Sequence, residues 1–206
     1  MEKAAKILSI IFSPLLVPTI AIAIALWGTM LVITPNSVKI HVVLMTLFIT
    51  GAIPAIVIAI LHYFKKVSDA TISNPRERTI PFIVAVLCYM GEAFYLMKIH
   101  APLWLCIFMI SAMMAIIIIM IVNVWWKVSA HTCAMGGCVA LVAWLISNNL
   151  ALPPMFAVLL IAIVVTGMVG SARLVRRLHT LPQVIVGAVI GFVSVYFIPE
   201  IIKLFM

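Results

Sequence analysis

Residues 171–191 read SARLVRRLHTLPQVIVGAVIG. Three arginines and a histidine stand at the mouth of an apolar run, in a 206-residue chain that is 67% hydrophobic and 9% charged. Charge placed beside lipid is costly unless it holds something negative. Arg173 and His179 have five residues between them, and Gln183 follows His179 by four. A mean hydropathy of +1.35 leaves too little polar surface to cover a soluble globule, so lipid must be the solvent. Apolar runs near the ~20 residues of a helical span recur along the whole length. The expected fold is all-α: a polytopic membrane helical bundle of six to seven transmembrane helices, one integral membrane domain over residues 1–206.

The net charge of +8 is not a nucleic-acid footprint, because the basic residues sit at the ends of apolar runs. Anionic lipid headgroups or a phosphorylated substrate would lie there. Cys88, Cys106, Cys133 and Cys138 fall in apolar runs without Cys-x-x-Cys spacing and read as buried reduced thiols.

A short basic head, Met1 to Lys6, precedes an apolar run from Ile7 to about Val32. Its alanines at 21, 23 and 25 imitate a secretory signal, but the run reaches spanning length and reads as a retained first span kinked at Pro14 and Pro18. A second span is expected from about His41 to Tyr63, and then a polar island, KKVSDATISNPRERT, covers residues 65–79. Spans three and four are expected at Ile80–Met97 and Leu103–Val124. A second island, NVWWKVSAHT, covers residues 123–132, where Trp125-Trp126 reads as an interfacial belt. Span five occupies Cys133–Ile146 and begins near Ser129, a natural N-cap. Span six runs from Met155 to about Val169, and the last from about His179 to Ile198. The count is seven, or six if the short third run is not a full crossing. Two spans separate each island from the next, so all three islands and the N-terminus share one membrane face. Gly187 and Gly191 carry the Gly-x-x-x-Gly spacing that lets membrane helices approach closely.

These islands resemble the three signatures of the type 2 phosphatidic acid phosphatase family, the lipid phosphate phosphatases, in a divergent bacterial-type form. The third signature, Ser-Arg-x5-His-x3-Asp, appears as Ser171-Ala172-Arg173-x5-His179-x3-Gln183. The second, Pro-Ser-Gly-His, appears as Val128-Ser129-Ala130-His131. The first, Lys-x6-Arg-Pro, is met by Arg76-Glu77-Arg78 with Pro81 three residues later. Arg78 takes the place of the arginine, Thr71 stands where the lysine would fall, and Lys127 or Lys66 substitutes for it.

The resemblance implies hydrolysis of a phosphomonoester or diphosphate on a lipid, with membrane lipids as surroundings and no cofactor. Arg78, Arg173 and Lys127, with Arg76, would neutralise the phosphate, arginine giving the bidentate grip. Ser129 would donate its hydroxyl at a helix N-terminus that itself favours anions. His179 would attack phosphorus to form a phosphohistidine, and His131 would protonate the leaving oxygen and then activate water. No metal is called for, as no carboxylate cluster would hold one. Gln183 replaces the family aspartate, so it can orient the imidazole but adds no charge. Asp69 or Glu77 from the first island are the carboxylates that would make up the difference.

Two other classes compete with this reading. Glu92 lies inside the third span, where an acid is a functional hypothesis by default, pairing with a basic group or carrying protons in a small secondary transporter. A non-catalytic relative that binds anionic lipid would keep the pocket without turnover. Lys3, Lys6, Lys65, Arg176 and Arg177 read as topology signals. The island face carries ten basic residues (Lys3, Lys6, Lys65, Lys66, Arg76, Arg78, Lys127, Arg173, Arg176, Arg177) against three elsewhere (Lys39, Lys98, Lys203). That asymmetry predicts a cytoplasmic active face, whereas bacterial members of the family, in the inner membrane, usually work on the outer one.

Overall fold

The computed structural model describes residues 2–65 and 75–205, the side chains of residues 75 and 76 excepted. Among the described residues eight helices make up the fold: α1 (Glu2–Ile11), α2 (Val17–Gly28), α3 (Asn36–Tyr63), α4 (Thr79–Lys98), α5 (Leu103–Val122), α6 (Ala130–Ser147), α7 (Met155–Val175) and α8 (Leu181–Lys203). The last six are long and apolar enough to cross a membrane, and α2 is a shorter apolar helix. The protein is therefore an integral membrane helical bundle. The short third run is a complete 20-residue helix. The shortfall from seven falls on the first run instead. Pro14 and Pro18 each remove a backbone donor within one stretch, and the chain breaks between Ile11 and Val17 rather than kinking. The isolated α1 packs beside α7 with Ala5 and Ser9 buried, leaving Ile7 and Ile10 outward.

Helix ends follow local chemistry. Pro35, Pro102 and Pro154 immediately precede α3, α5 and α7. Four C-termini end on a residue in the left-handed region, Lys65, His100, Asn149 and Arg177, where glycine is the common choice. At Arg177 the full Schellman pattern is present: Leu178 N–H donates to the Arg173 carbonyl (3.1 Å) and Arg177 N–H to that of Leu174 (2.9 Å). α7 thus continues through Ser171, Ala172 and Arg173, six residues beyond the expected end at Val169, and turns back sharply.

The most buried long helix, α6, sits at the centre and packs most closely on α8. Glycine makes this approach possible. A Cβ on Gly191 would lie 1.9 Å from the Cys133 carbonyl oxygen, and one on Gly187 2.5 Å from that of Ser129. The Gly-x-x-x-Gly spacing is therefore a backbone-to-backbone contact. It brings the start of α8 against the start of α6. All four cysteines are buried and unpaired.

Glu92 is fully buried in α4, and no basic group pairs with it among the described residues. Its Oε1 instead receives the Thr46 hydroxyl at 2.7 Å, beside a π-helical turn at Leu47–Ala52 of α3. A second polar stitch ties the last turns of α6 and α8. There the Trp144 indole N–H and Lys203 Nζ both reach Glu200 Oε1, at 2.6 and 3.1 Å.

Candidate active site

The site forms where α6, α7 and α8 end or begin. Thr180 is the N-cap of α8, and Gln183, three residues on, folds back in a capping box. Gln183 Oε1 accepts the Thr180 backbone N–H at 3.1 Å and also lies 3.1 Å from Nδ1 of His179. The backbone donor identifies the Gln183 atom as oxygen, and an oxygen at that distance requires the proton on Nδ1. His179 is thereby fixed with Nε2 unprotonated, the nitrogen a nucleophile needs.

The expected pair thus forms, by a different route. α8 starts at Leu181, so His179 lies outside it, and the two side chains meet through the cap rather than along one helix face. The Thr180-x-x-Gln183 spacing is the sequence signal for that cap.

Backbone bonds lock the islands together. Ser129 N–H donates to the Gln183 carbonyl at 3.2 Å, joining the second island to the third. Arg78 Nη1 donates to the Val128 carbonyl at 3.2 Å, joining the first to the second. Ser129 is fully buried as the N-cap of α6, its Oγ accepting the Thr132 N–H at 3.4 Å, which leaves its own O–H to donate. Arg173 is 4% exposed, and its Nε has no hydrogen-bond acceptor among the described residues. A buried guanidinium donor without an acceptor among the described residues is suited to binding an anion.

His131 completes the set. It lies within electrostatic range of Arg173, His179 and Arg78. Its Nε2 donates to the Ser9 carbonyl at 3.1 Å, since a carbonyl can only accept. That partner was not expected. Ser9 is one of several small hydroxyl residues, with Ser13 and Thr19, in a largely apolar run, and the break after α1 brings it over the site. The bond leaves Nδ1 of His131 to take or give a proton.

Burial holds the His179 imidazole down at about 3, reinforced by the nearby charges of Arg78, Arg173 and Lys127; the Gln183 hydrogen bond opposes them. Glu77 is half-buried, and Gln183 is the side chain that hydrogen-bonds the His179 ring. Ser171 is exposed and donates to the Gly167 carbonyl of its own helix, away from the site. Lys66, Asp69 and Thr71 lie outside the described residues, as does the side chain of Arg76. Among the described residues no cluster of three His, Cys, Asp or Glu side chains could hold a metal ion.

A stability effect follows. The unfolded chain protonates this imidazole near 6.5 and the folded chain near 3, so between those values the unfolded state binds the extra proton. The contribution of His179 is complete above about 6.5 and is lost as pH falls toward 3. Thermal unfolding midpoints in anion-free buffer should fall more steeply with acidification in wild type than in His179→Gln. Parallel curves would contradict the burial of a neutral ring.

Buried Arg78 and Arg173 stand near an oriented imidazole at one end of a membrane bundle, an arrangement suited to an anion such as phosphate. Residues 125–205, which hold the second and third islands, match the PAP2 superfamily. The match covers less than half of the chain, and the similarity supports a phosphatase-type function. Comparisons with curated proteins and with solved structures returned no match.

Proposed function

We propose that this protein is a lipid phosphate phosphatase that hydrolyses a lipid phosphate or isoprenyl diphosphate through a phosphohistidine at His179, without a metal. The observation that carries the reading is the Thr180–Gln183–His179 chain, which leaves Nε2 as the free nitrogen beside Arg78, Arg173 and Lys127. In the first step the Nε2 lone pair bonds to phosphorus as the bond to the lipid oxygen breaks. His131, having taken a second proton on Nδ1 from the incoming phosphate monoanion, gives that proton to the leaving oxygen. In the second step water attacks phosphorus, passes a proton back to His131, and the P–N bond breaks to release phosphate. The arginines and Lys127 spread positive charge over the equatorial oxygens, and Ser129 adds a donor. We place the site on the cytoplasmic face of a bacterial inner membrane, the charge count supporting the side and the resemblance the membrane.

The neutral Gln183 favours one second reading, a relative that binds anionic lipid without turnover. Phosphate release from phosphatidic acid, phosphatidylglycerophosphate and an isoprenyl diphosphate, without added metal, separates the two. Release from at least one is expected. None from a folded protein that still binds these lipids would leave only the binding role.

A further inference from the structure

Beneath the site lies an apolar cavity of ≈ 80 Å3, walled by the α1–α2 connection and by α2, α3, α4, α5, α6 and α8. Its upper rim includes Ala130, between Ser129 and His131 in sequence, with Phe82 one turn into α4 and Ile119 one turn from the end of α5. On α5 the lining runs from Ile119 to Phe108, and on α6 from Ala130 to Cys138. At 1.5 Å per residue those stretches are roughly 12–16 Å long. Spread over that length, ≈ 80 Å3 leaves only a narrow cross-section. The cavity is a slot one chain wide.

Much of the wall is made by small side chains, among them Ala85, Ala112, Ala115, Ala134, Gly137 and Gly191. The hydroxyls near it are occupied elsewhere. Thr50 donates to the Thr46 carbonyl at 2.8 Å, and Tyr89 to the Pro14 carbonyl at 3.4 Å. A slot with these walls stays dry and takes hydrocarbon.

We propose that this slot receives the tail of the substrate and selects phosphate esters that carry a single long hydrocarbon chain. The inference rests on the phosphatase reading above for the position of the headgroup. With the phosphate against Arg173 and His179, one chain descends past Ala130 between the helices. A second chain on the same headgroup would not fit beside the first in a slot one chain wide. It would stay outside the ring of helices and draw the phosphate off the histidine.

The test uses the full-length protein in lipid nanodiscs with dodecyl phosphate, ethyl phosphate and didodecanoyl phosphatidate. Phosphate release should favour dodecyl phosphate over the two-chain lipid by tenfold or more in kcat/KM. Ala115→Leu, which fills the slot from α5 without touching the site, should cut that value for dodecyl phosphate at least tenfold and leave ethyl phosphate unchanged. A folded variant with an unchanged dodecyl-to-ethyl ratio would overturn the proposal, as would equal rates on one- and two-chain lipids. If Ala115→Leu does not fold, Ala85→Leu fills the slot from α4. Thermal stabilisation of wild type gives a readout independent of turnover: dodecyl phosphate should raise the midpoint more than the two-chain lipid does. Absence of release from all three esters, with that selective stabilisation intact, would sink the phosphatase reading and leave the slot standing. Equal stabilisation by both lipids would sink the slot.

Discussion

Gly191→Val is expected to abolish function and strip much of the fold's stability. A Cβ at this position would lie 1.9 Å from the Cys133 carbonyl oxygen, 2.7 Å from its carbon and 3.0 Å from the Gly137 nitrogen. All three are backbone atoms of α6, so no side chain can turn aside, and α8 must move off bodily. Overpacking of this kind costs about 1–3 kcal/mol where side chains can adjust, and the cost here should exceed that range. The displacement also pulls the Gln183 carbonyl from the Ser129 N–H and shifts His179 relative to Arg78, and an error of about 1 Å can remove about a hundredfold in rate. Gly167→Ala is the matched control: no atom lies within 4 Å of a Cβ there, and both stability and activity should survive. Thermal unfolding in detergent with phosphate release reads out both. A Gly191→Val protein with a wild-type midpoint would refute the close α6–α8 approach.

Gln183→Glu should accelerate the enzyme. Glutamate has the same length, serves the same capping box at the third helical position, and places an oxygen where the amide oxygen now sits. The one change is a negative charge about 3.1 Å from Nδ1. In the proposed step the imidazole becomes cationic as Nε2 bonds to phosphorus, so that charge would be worth more in the transition state than in the resting state. A gain of about tenfold needs only about 1.4 kcal/mol of this differential stabilisation. Gln183→Leu should move the opposite way, losing about a hundredfold or more with the tautomer no longer fixed, along with about 1 kcal/mol of helix capping. Steady-state release on one lipid substrate distinguishes these outcomes. A Glu variant no faster than wild type would show that the charge behind the ring does not limit the reaction.

Most of this fold was readable because lipid imposes one periodic solution on a long apolar run. Five of the expected spans match helices to within a few residues, and Ser129 caps α6 as its position before an apolar stretch demands. Two boundaries were not readable from hydropathy. The run from Ile7 to Val32 is continuous in composition, and whether Pro14 and Pro18 kink or break it depends on what the freed carbonyls find. Here the Pro14 carbonyl meets the Tyr89 hydroxyl on α4, a partner 75 residues away. The sixth span runs on through Arg173 because the guanidinium is buried at the site and not left in solvent, which no local propensity encodes. The pairing of Glu92 with Thr46 was equally hidden, since a threonine in an apolar helix signals nothing until the facing helix is known. The His179–Gln183 pair was legible from spacing, whereas its mechanism lay in the unread capping box.

The most direct measurement is the phosphoenzyme itself. Purified protein is mixed for milliseconds with a lipid carrying labelled phosphate, then quenched in alkali, where phosphohistidine survives, and digested for mapping. The account predicts acid-labile label on the peptide containing His179, absent in His179→Ala and retained longer in a His131→Ala variant that cannot activate water. Phosphate release without a labelled protein, or release undiminished in a folded His179→Ala protein, would contradict the nucleophile assigned here.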